Sequence, residues 1–308
     1  MRYLIIVILL FISLTACRQE PGNIKTIDFS ETIASEENGI TNTGRETIKV
    51  AVSAMSSPRE TFSLYEDIIR YIADHLDMAY EFHQRRTYEE INKMLEDGRL
   101  DFAFICSGAY VELDRDTGVE ILSVPVTRGN TFYHAYIIVP DNSPAQEFID
   151  LKGKEFAFTE LLSNTGYLYP RYRIIEEGED LQDWFSSTVF TYAHDTSIQM
   201  VVRKLVDGAS VHSMVFDYLL DNEPERVRGV RIIEKSESFG IPPVVASGRM
   251  DDGFKEKVRE ILQNMHNDSQ GREFIHALLI DRFIDGNDTD YDRIRDMRAL
   301  GGKSPANN

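Results

Sequence analysis

The stretch Arg85–Tyr110, RRTYEEINKMLEDGRLDFAFICSGAY, holds one helix pattern and one strand pattern back to back. Tyr88, Ile91 and Leu95 recur at helical spacing, and Leu100 to Cys106 is an apolar run of strand length. Thr87-Tyr88-Glu89-Glu90 has capping-box spacing, in which a threonine hydroxyl and a glutamate three positions on satisfy each other's backbone N–H groups. The same alternation precedes it. Ile48 to Ala54 is β-rich, Phe62, Tyr65, Ile69, Ile72 and Leu76 keep helical spacing, and Tyr80 to His83 is a short strand. This β-α-β-α-β order predicts a parallel sheet covered by helices.

A second series follows. Tyr133 to Val139, Glu155 to Thr159, Thr188 to Tyr192, Ser210 to Ser213 and Val230 to Glu234 read as strands. A helical stretch follows Ser163, and Ile198, Val201, Val202 and Leu205 mark an amphipathic helix. Pro242 to Ala246 is a further strand, with helices from Asp251 to Met265 and from about Gln270 to Leu279. The layout implied is two α/β lobes, with the chain crossing near residues 125–135 and returning near 236–243. The boundaries are 47–128 plus 240–300 for lobe 1 and 129–239 for lobe 2, with 301–308 as a frayed tail.

The first residues set the expected compartment. Met1-Arg2-Tyr3 is a basic start, Leu4 to Leu14 is apolar, and Leu14-Thr15-Ala16-Cys17 closes with small residues and a cysteine. Such a run is shorter than the ~20 residues a spanning helix needs and has the order of a secretory signal, residues 1–16. Cys17 following that exit resembles a bacterial lipobox, which implies cleavage before it and lipid on its sulfur. Residues 17–46 are polar and aperiodic, as a membrane tether would be. Cys106 is then the one remaining cysteine, so stability must come from packing rather than from an internal disulfide.

A formal charge of -18 argues against nucleic acid, which needs a basic footprint. It leaves room for a small anion, because exposed charges are screened over ~10 Å while hydrogen bonds act at contact. Helix starts are where such an anion would collect, since the carboxyl end of each parallel strand leads into a helix amino end with unpaired N–H groups. Ser57-Pro58-Arg59-Glu60 and Thr196 to Gln199 share the capping-box spacing with Thr87, and taken alone all three are read as plain caps rather than as binding sites. Ser107-Gly108-Ala109-Tyr110 follows the third strand. Ser163-Asn164-Thr165-Gly166 differs, with three polar side chains before a glycine and no Glu or Gln at the box position. Its hydroxyl, amide and backbone donors are expected to be free to wrap an oxyanion. Pro170 is expected to kink or restart the helix that follows.

The runs SPRETFSLYEDIIRYIADHL, RRTYEEINKMLEDGRLDFAFICSGAY, DLKGKEFAFTELLSNTGYLYPRY, HDTSIQMVVRKLVDGASVHSMVFDYL and SFGIPPVV resemble the phosphate/phosphite/phosphonate-binding lipoproteins of ATP-driven importers, over roughly residues 47–280. The resemblance implies a two-lobe type II periplasmic-binding-protein fold with a two-strand hinge. It implies that Ser163, Asn164 and Thr165 match the turn that wraps phosphorus oxygens, that Tyr110 and Ser107 match first-lobe ligand contacts, and that His194 matches a second-lobe donor. Ser57 falls on the first-lobe loop facing the cleft. The chain departs from the family at His212 of GASVHS, where many relatives have an aspartate. Losing that acid weakens the case for an aminoalkyl zwitterion and favours a plain anion.

The resemblance also implies the partners: a small oxyanion, an ABC permease, the membrane through the lipid, no cofactor, and a monomeric chain. A sensory protein of the same fold would face a membrane receptor instead. An enzyme built on Cys106 with His134 or His194 lacks a catalytic signature, and Cys106 ends an apolar strand as buried cysteines do. A metal site is unsupported, since His83, His134, His194 and His212 are scattered with no ligand spacing.

Overall fold

The computed structural model describes residues 45–53 and 55–300. The 1–16 signal, Cys17 and the 301–308 tail lie outside the described residues, as does most of the 17–46 tether. Among the described residues no helix is long and apolar enough to cross a membrane.

The first series folds as its periodicity predicts. Strand β1 (Thr47–Val52) leads to helix α1 (Pro58–His75), β2 (Ala79–His83), α2 (Tyr88–Glu96), β3 (Phe102–Phe104) and α3 (Ser107–Glu112). β1 lies parallel between β2 and β3, with Val50 opposite both Phe82 and Phe102. Alternation along β1 decides which helix covers which face. Ile48, Val50 and Val52 pack with Ile68, Ile69 and Ile72 of α1, whereas Ala51 faces Ile91 and Leu95 of α2. The Thr87 box is complete, with Thr87 accepting from the Glu90 N–H and the Glu90 side chain from the Thr87 N–H.

The chain continues through β4 (Glu120–Val126), β5 (Phe132–Tyr133) and β6 (Ala135–Pro140), then β7 (Glu155–Phe158). A π-helical turn at Asn164–Leu168 runs into α4 (Tyr169–Glu176), followed by α5 (Leu181–Trp184), β8 (Ser187–Phe190), α6 (His194–Val202), β9 (Gly208–His212), α7 (Ser213–Asn222) and β10 (Val230–Lys235). It returns through β11 (Phe239–Gly240), β12 (Val244–Ala246), α8 (Asp252–Asn264), α9 (Ser269–His276), β13 (Arg282–Ile284) and α10 (Asp292–Leu300). The six-stranded sheet has the order β13-β4-β12-β3-β1-β2 and the five-stranded sheet β10-β6-β9-β7-β8.

Neither sheet is wholly parallel, as the alternation alone suggested. β12 enters antiparallel between β3 and β4, and β6 runs antiparallel to β9 and β10. The parallel cores β2-β1-β3 and β8-β7-β9 nevertheless stand as expected. The expected strand Tyr133 to Val139 is two strands broken at His134. The first, β5, pairs antiparallel with β11, Tyr133 opposite Phe239, so the outgoing and returning crossings form one two-stranded ladder between the sheets. Tyr291, Ile294 and Met297 at the C-terminal end pack into the core of the five-stranded sheet with Phe156 and Phe158.

That core is stacked aromatic surface. Phe148 lies parallel to Trp184 at a centroid distance of 5.7 Å, both essentially buried. Phe148→Ala should cost about 3–5 kcal/mol of stability in a urea melt. The emission of Trp184, the chain's single tryptophan, should move to longer wavelength in the same variant.

Candidate functional site

The carboxyl ends of the parallel strands meet across the two lobes. Ser53 follows β1, Cys106 and Ser107 follow β3, Ser163 follows β7 by a short turn, His194 opens α6 after β8, and His212 ends β9. All six are buried.

The Ser163 turn owes its width to Pro170. A proline has no N–H for the carbonyl four residues back, so the Gly166 carbonyl accepts from Thr159 N–H instead (3.3 Å). The Tyr167 and Leu168 N–H groups both reach the Ser163 carbonyl, and the regular helix restarts at Tyr169. Ser163 Oγ is not wholly free as expected. It accepts from the Gly166 N–H at 3.0 Å and keeps only its own proton to give. Asn164 Nδ2 donates to the Tyr133 hydroxyl at 3.0 Å, while Asn164 Oδ1 and Thr165 Oγ1 are buried without a protein partner.

Two histidines complete this wall. The His212 N–H donates to His194 Nδ1 at 3.1 Å, and the Met214 N–H donates to His212 Nδ1 at 3.2 Å. A nitrogen that accepts from a backbone N–H carries no proton, so in each neutral ring the proton sits on Nε2. Burial pushes His194 down to about 3 and, with His194 beside it, drives His212 well below the ordinary imidazole range. Both rings are therefore neutral donors. His194 Nε2 lies 3.4 Å from Ser163 Oγ, and His212 Nε2 is buried without a partner. The His212 ring stacks on Tyr133, centroids 4.2 Å apart.

The other wall supplies Ser53, whose hydroxyl is also buried and unpartnered, and Ser107. Ser107 Oγ donates to the Gly240 carbonyl of β11 at 2.7 Å, tying the start of α3 to the two-stranded ladder. The Tyr133 hydroxyl lies within hydrogen-bond reach of both Ser107 and Asn164. None of these side chains is charged at neutral pH, so an oxyanion here would meet neutral donors only.

The lobes touch through backbone groups. The His194 N–H donates to the Met55 carbonyl at 2.9 Å, and the Ser57 N–H donates to Asp195 Oδ1 at 3.0 Å. Asp195 also holds Arg226 at 3.2 Å. Glu160 accepts from the Leu162 N–H on its own lobe and from the Tyr88 N–H on the other, and burial raises it to about 7. Gly108 lies so close to the Ser163 turn that a Cβ there would come within 2.2 Å of the Leu162 carbonyl and 2.6 Å of Asn164 N.

The structure thus brings Ser107, Ser163, Asn164, Thr165 and His194 into one group. Ser57 borders it through its backbone: its hydroxyl makes no cap bond, so the expected Ser57 box does not form. Thr196 lies inside α6, whose N-cap is Ala193, so that box is absent too. Tyr110 is not brought in, for its hydroxyl donates to Asp288 Oδ1 at 2.7 Å and its ring packs edge-on against Tyr291. Tyr133 and Ser53 were missed by sequence reasoning, because apolar-run counting reads a tyrosine or serine at a strand end as framework. Cys106 is fully buried, and that burial pushes its thiol up. Among the described residues no three His, Cys, Asp or Glu side chains come together to hold a metal.

Two α/β lobes, joined by a two-stranded ladder and lined where they meet by inward donors, define a periplasmic binding protein. The family model described as the periplasmic substrate-binding protein of phosphonate ABC transporters matches residues 50–291, and the chain belongs to that family. It is 25% identical over 182 residues to the phosphonates-binding periplasmic protein of Escherichia coli K12, covering 58% of this chain and 54% of that relative. It is 23% identical over 268 residues to a phosphate-import protein of Mycolicibacterium smegmatis, covering 83% of this chain and 80% of that one. The fold matches the crystal structure of a binding-protein component of an ABC phosphonate transporter from Pseudomonas aeruginosa with a TM-score of 0.78, at 20% identity over 83% of this chain and 87% of that one. The family places the folded body outside the cytoplasm.

Two measurements probe this geometry. A base whose folded pKa is depressed contributes stability above its unfolded value, 6.5, that is lost as pH falls toward about 3 for His194. His194→Gln, which keeps an acceptor and a donor, should flatten the acid side of a stability-versus-pH curve by about 1.4 kcal/mol per pH unit below the normal histidine range. Equal slopes would refute the buried neutral assignment. Gly108→Ala should leave both lobes folded yet keep them apart, so that small-angle scattering shows no compaction on adding ligand.

Proposed function

We propose that this chain is the lipid-anchored, monomeric solute receptor of an importer, capturing a phosphorus oxyanion (phosphonate, phosphite or phosphate) between its lobes and presenting it to an ABC permease. One observation carries the reading. A buried group of neutral polar side chains, Ser53, Ser163, Thr165, His194 and His212, lies where the lobes meet, with Ser107 beside it and its proton held by the Gly240 carbonyl, and Ser53 Oγ, Thr165 Oγ1 and His212 Nε2 have no protein partner. Buried polar atoms are rarely left unpaired, and a ligand with several acceptor oxygens and no need for donors would satisfy all three. The relatives' names, a phosphonate binder and a phosphate importer, fit the same chemistry.

In this mechanism nothing covalent changes. The ligand oxygens accept from the Ser163 and Thr165 hydroxyls and from His194 and His212 Nε2–H, with Asn164 aligned by Tyr133. Ser53 and Ser107 approach from the first lobe, and Ser57 contributes the backbone contact to Asp195 that holds the lobes together. Tyr110 acts indirectly, fixing α3 through Asp288. Hydrogen bonds to a charged group contribute ~1.5–3 kcal/mol each, and this sum must exceed the loss of ligand and lobe freedom. The cleft works without catalysis, releasing the anion unchanged when the lobes part. Lipid on Cys17 keeps the receptor at the membrane, and the lobes divide at residues 47–128 plus 240–300 against 129–239, except that Tyr291, Ile294 and Met297 of the last segment pack on the second lobe.

Ser163→Ala combined with Thr165→Ala should reduce phosphorus-anion affinity by at least about a hundredfold, from two charge-assisted bonds. Calorimetric titration with phosphate, phosphite, methylphosphonate and sulfate reads the loss. Unchanged affinity in the double variant would refute the placement of the site, and silence of the parent toward every phosphorus anion would refute the ligand class.

A further inference from the structure

A cavity of about 90 Å³ opens beside the donor group, and its wall is almost wholly apolar. Met55, Leu64, Tyr65 and Phe283 form one side, and Met214 and Val215 of α7 form the other. Pro242 and Pro243, in the segment between β11 and β12, also line it. Two of its lining residues, Ser53 and His212, also belong to the donor group, and their Oγ and Nε2 atoms are buried without a protein partner. The cavity therefore borders the donor group through these two residues. A ligand held by those two atoms would extend any substituent into the apolar space.

The wall includes no Asp, Glu, Lys or Arg. An ammonium group there would surrender its water with no carboxylate to replace it, which is among the costliest events in protein chemistry. A bare phosphate would fill the donor site and leave the apolar space unused. A hydrocarbon chain gains by leaving water, at a rate that corresponds to roughly fourfold in affinity per buried methylene. An apolar cavity of ~150 Å³ holds a six-carbon ring, so this one has room for about three or four carbons.

We propose that the ligand is an alkylphosphonate with a short, uncharged chain of about propyl length, seated between α7 and the first-lobe residues Met55 and Leu64. The inference rests on the phosphorus-oxyanion reading above and adds the substituent to it. His212 serves both halves of such a ligand, giving its Nε2–H to an oxygen while the cavity beside it takes the chain.

The test is calorimetric titration of the full chain in detergent with inorganic phosphate, methylphosphonate, propylphosphonate and 2-aminoethylphosphonate. Propylphosphonate should bind about fifteenfold more tightly than methylphosphonate, from two further buried methylenes, and the amine should bind weakest of the phosphonates. Val215→Asp and, separately, Leu64→Asp should each bring the propyl-to-methyl ratio near one. Both side chains are only half-buried, and a thermal melt shows which variant is folded enough to be scored. Equal affinity for the two alkylphosphonates, or a preference for the amine, would overturn the apolar-chain inference while leaving the anion site standing. Failure of all four to bind would overturn the anion reading itself, and this inference with it.

Discussion

The backbone N–H of His212 donates to the ring of His194, and much of the cleft follows from that bond. It ties the end of β9 to the first turn of α6, so two strands of the second sheet present their side chains in a fixed relation. It also removes the choice of tautomer, because the nitrogen that accepts cannot carry the proton. A second backbone donor, Met214 N–H, does the same for His212. Two imidazoles that would titrate near neutrality in water become fixed neutral donors once burial penalises their charged forms. With no cation in the group, donors must be numerous and correctly aimed, and preorganised backbone bonds do the aiming.

The same economy governs closure. The lobes meet largely through backbone N–H groups, His194 N–H on the Met55 carbonyl, Ser57 N–H on the Asp195 carboxylate and Tyr88 N–H on the Glu160 carboxyl, with Gly108 flush against the Ser163 turn and an exposed Arg128–Asp221 pair at the edge. Exposed ion pairs contribute little because water and salt screen them. Backbone bonds in a closing cleft are short-ranged instead, forming only when the lobes are in register. Such contacts hold the lobes only in this register, and parting the lobes breaks them together.

Much of this was legible in the residues. The parallel cores β2-β1-β3 and β8-β7-β9 stood out because fully covered strands read as apolar runs followed by amphipathic helices. The Ser163 turn stood out because three polar side chains before a glycine have no use in a core. What stayed hidden depended on distant partners. β12 is three residues long, and nothing within Val244–Ala246 announces that it slots antiparallel between β3 and β4. The Ser57 and Thr196 boxes looked like Thr87's, yet Thr196 lies inside α6, and Ser57, although it stands at the N-cap of α1, makes no side-chain cap bond. Tyr133 and Ser53 became part of the donor group only through neighbours more than twenty-five positions away.

An acidic protein whose donor group carries no cation raises a question of balance. The formal charge of -18 lies on a surface where screening confines each charge to about a Debye length. Inside the cleft the medium is less polarisable than water, so each neutral dipole aimed at the anion counts for more. An arginine there would add a strong, long-ranged attraction, and any anion would profit from it, sulfate and carboxylate included. Neutral donors of fixed geometry reward only a ligand whose oxygens fall where the protons point. The absence of a formal positive charge in this donor group is therefore a source of discrimination, and it leaves affinity to be completed by contacts that other anions cannot make.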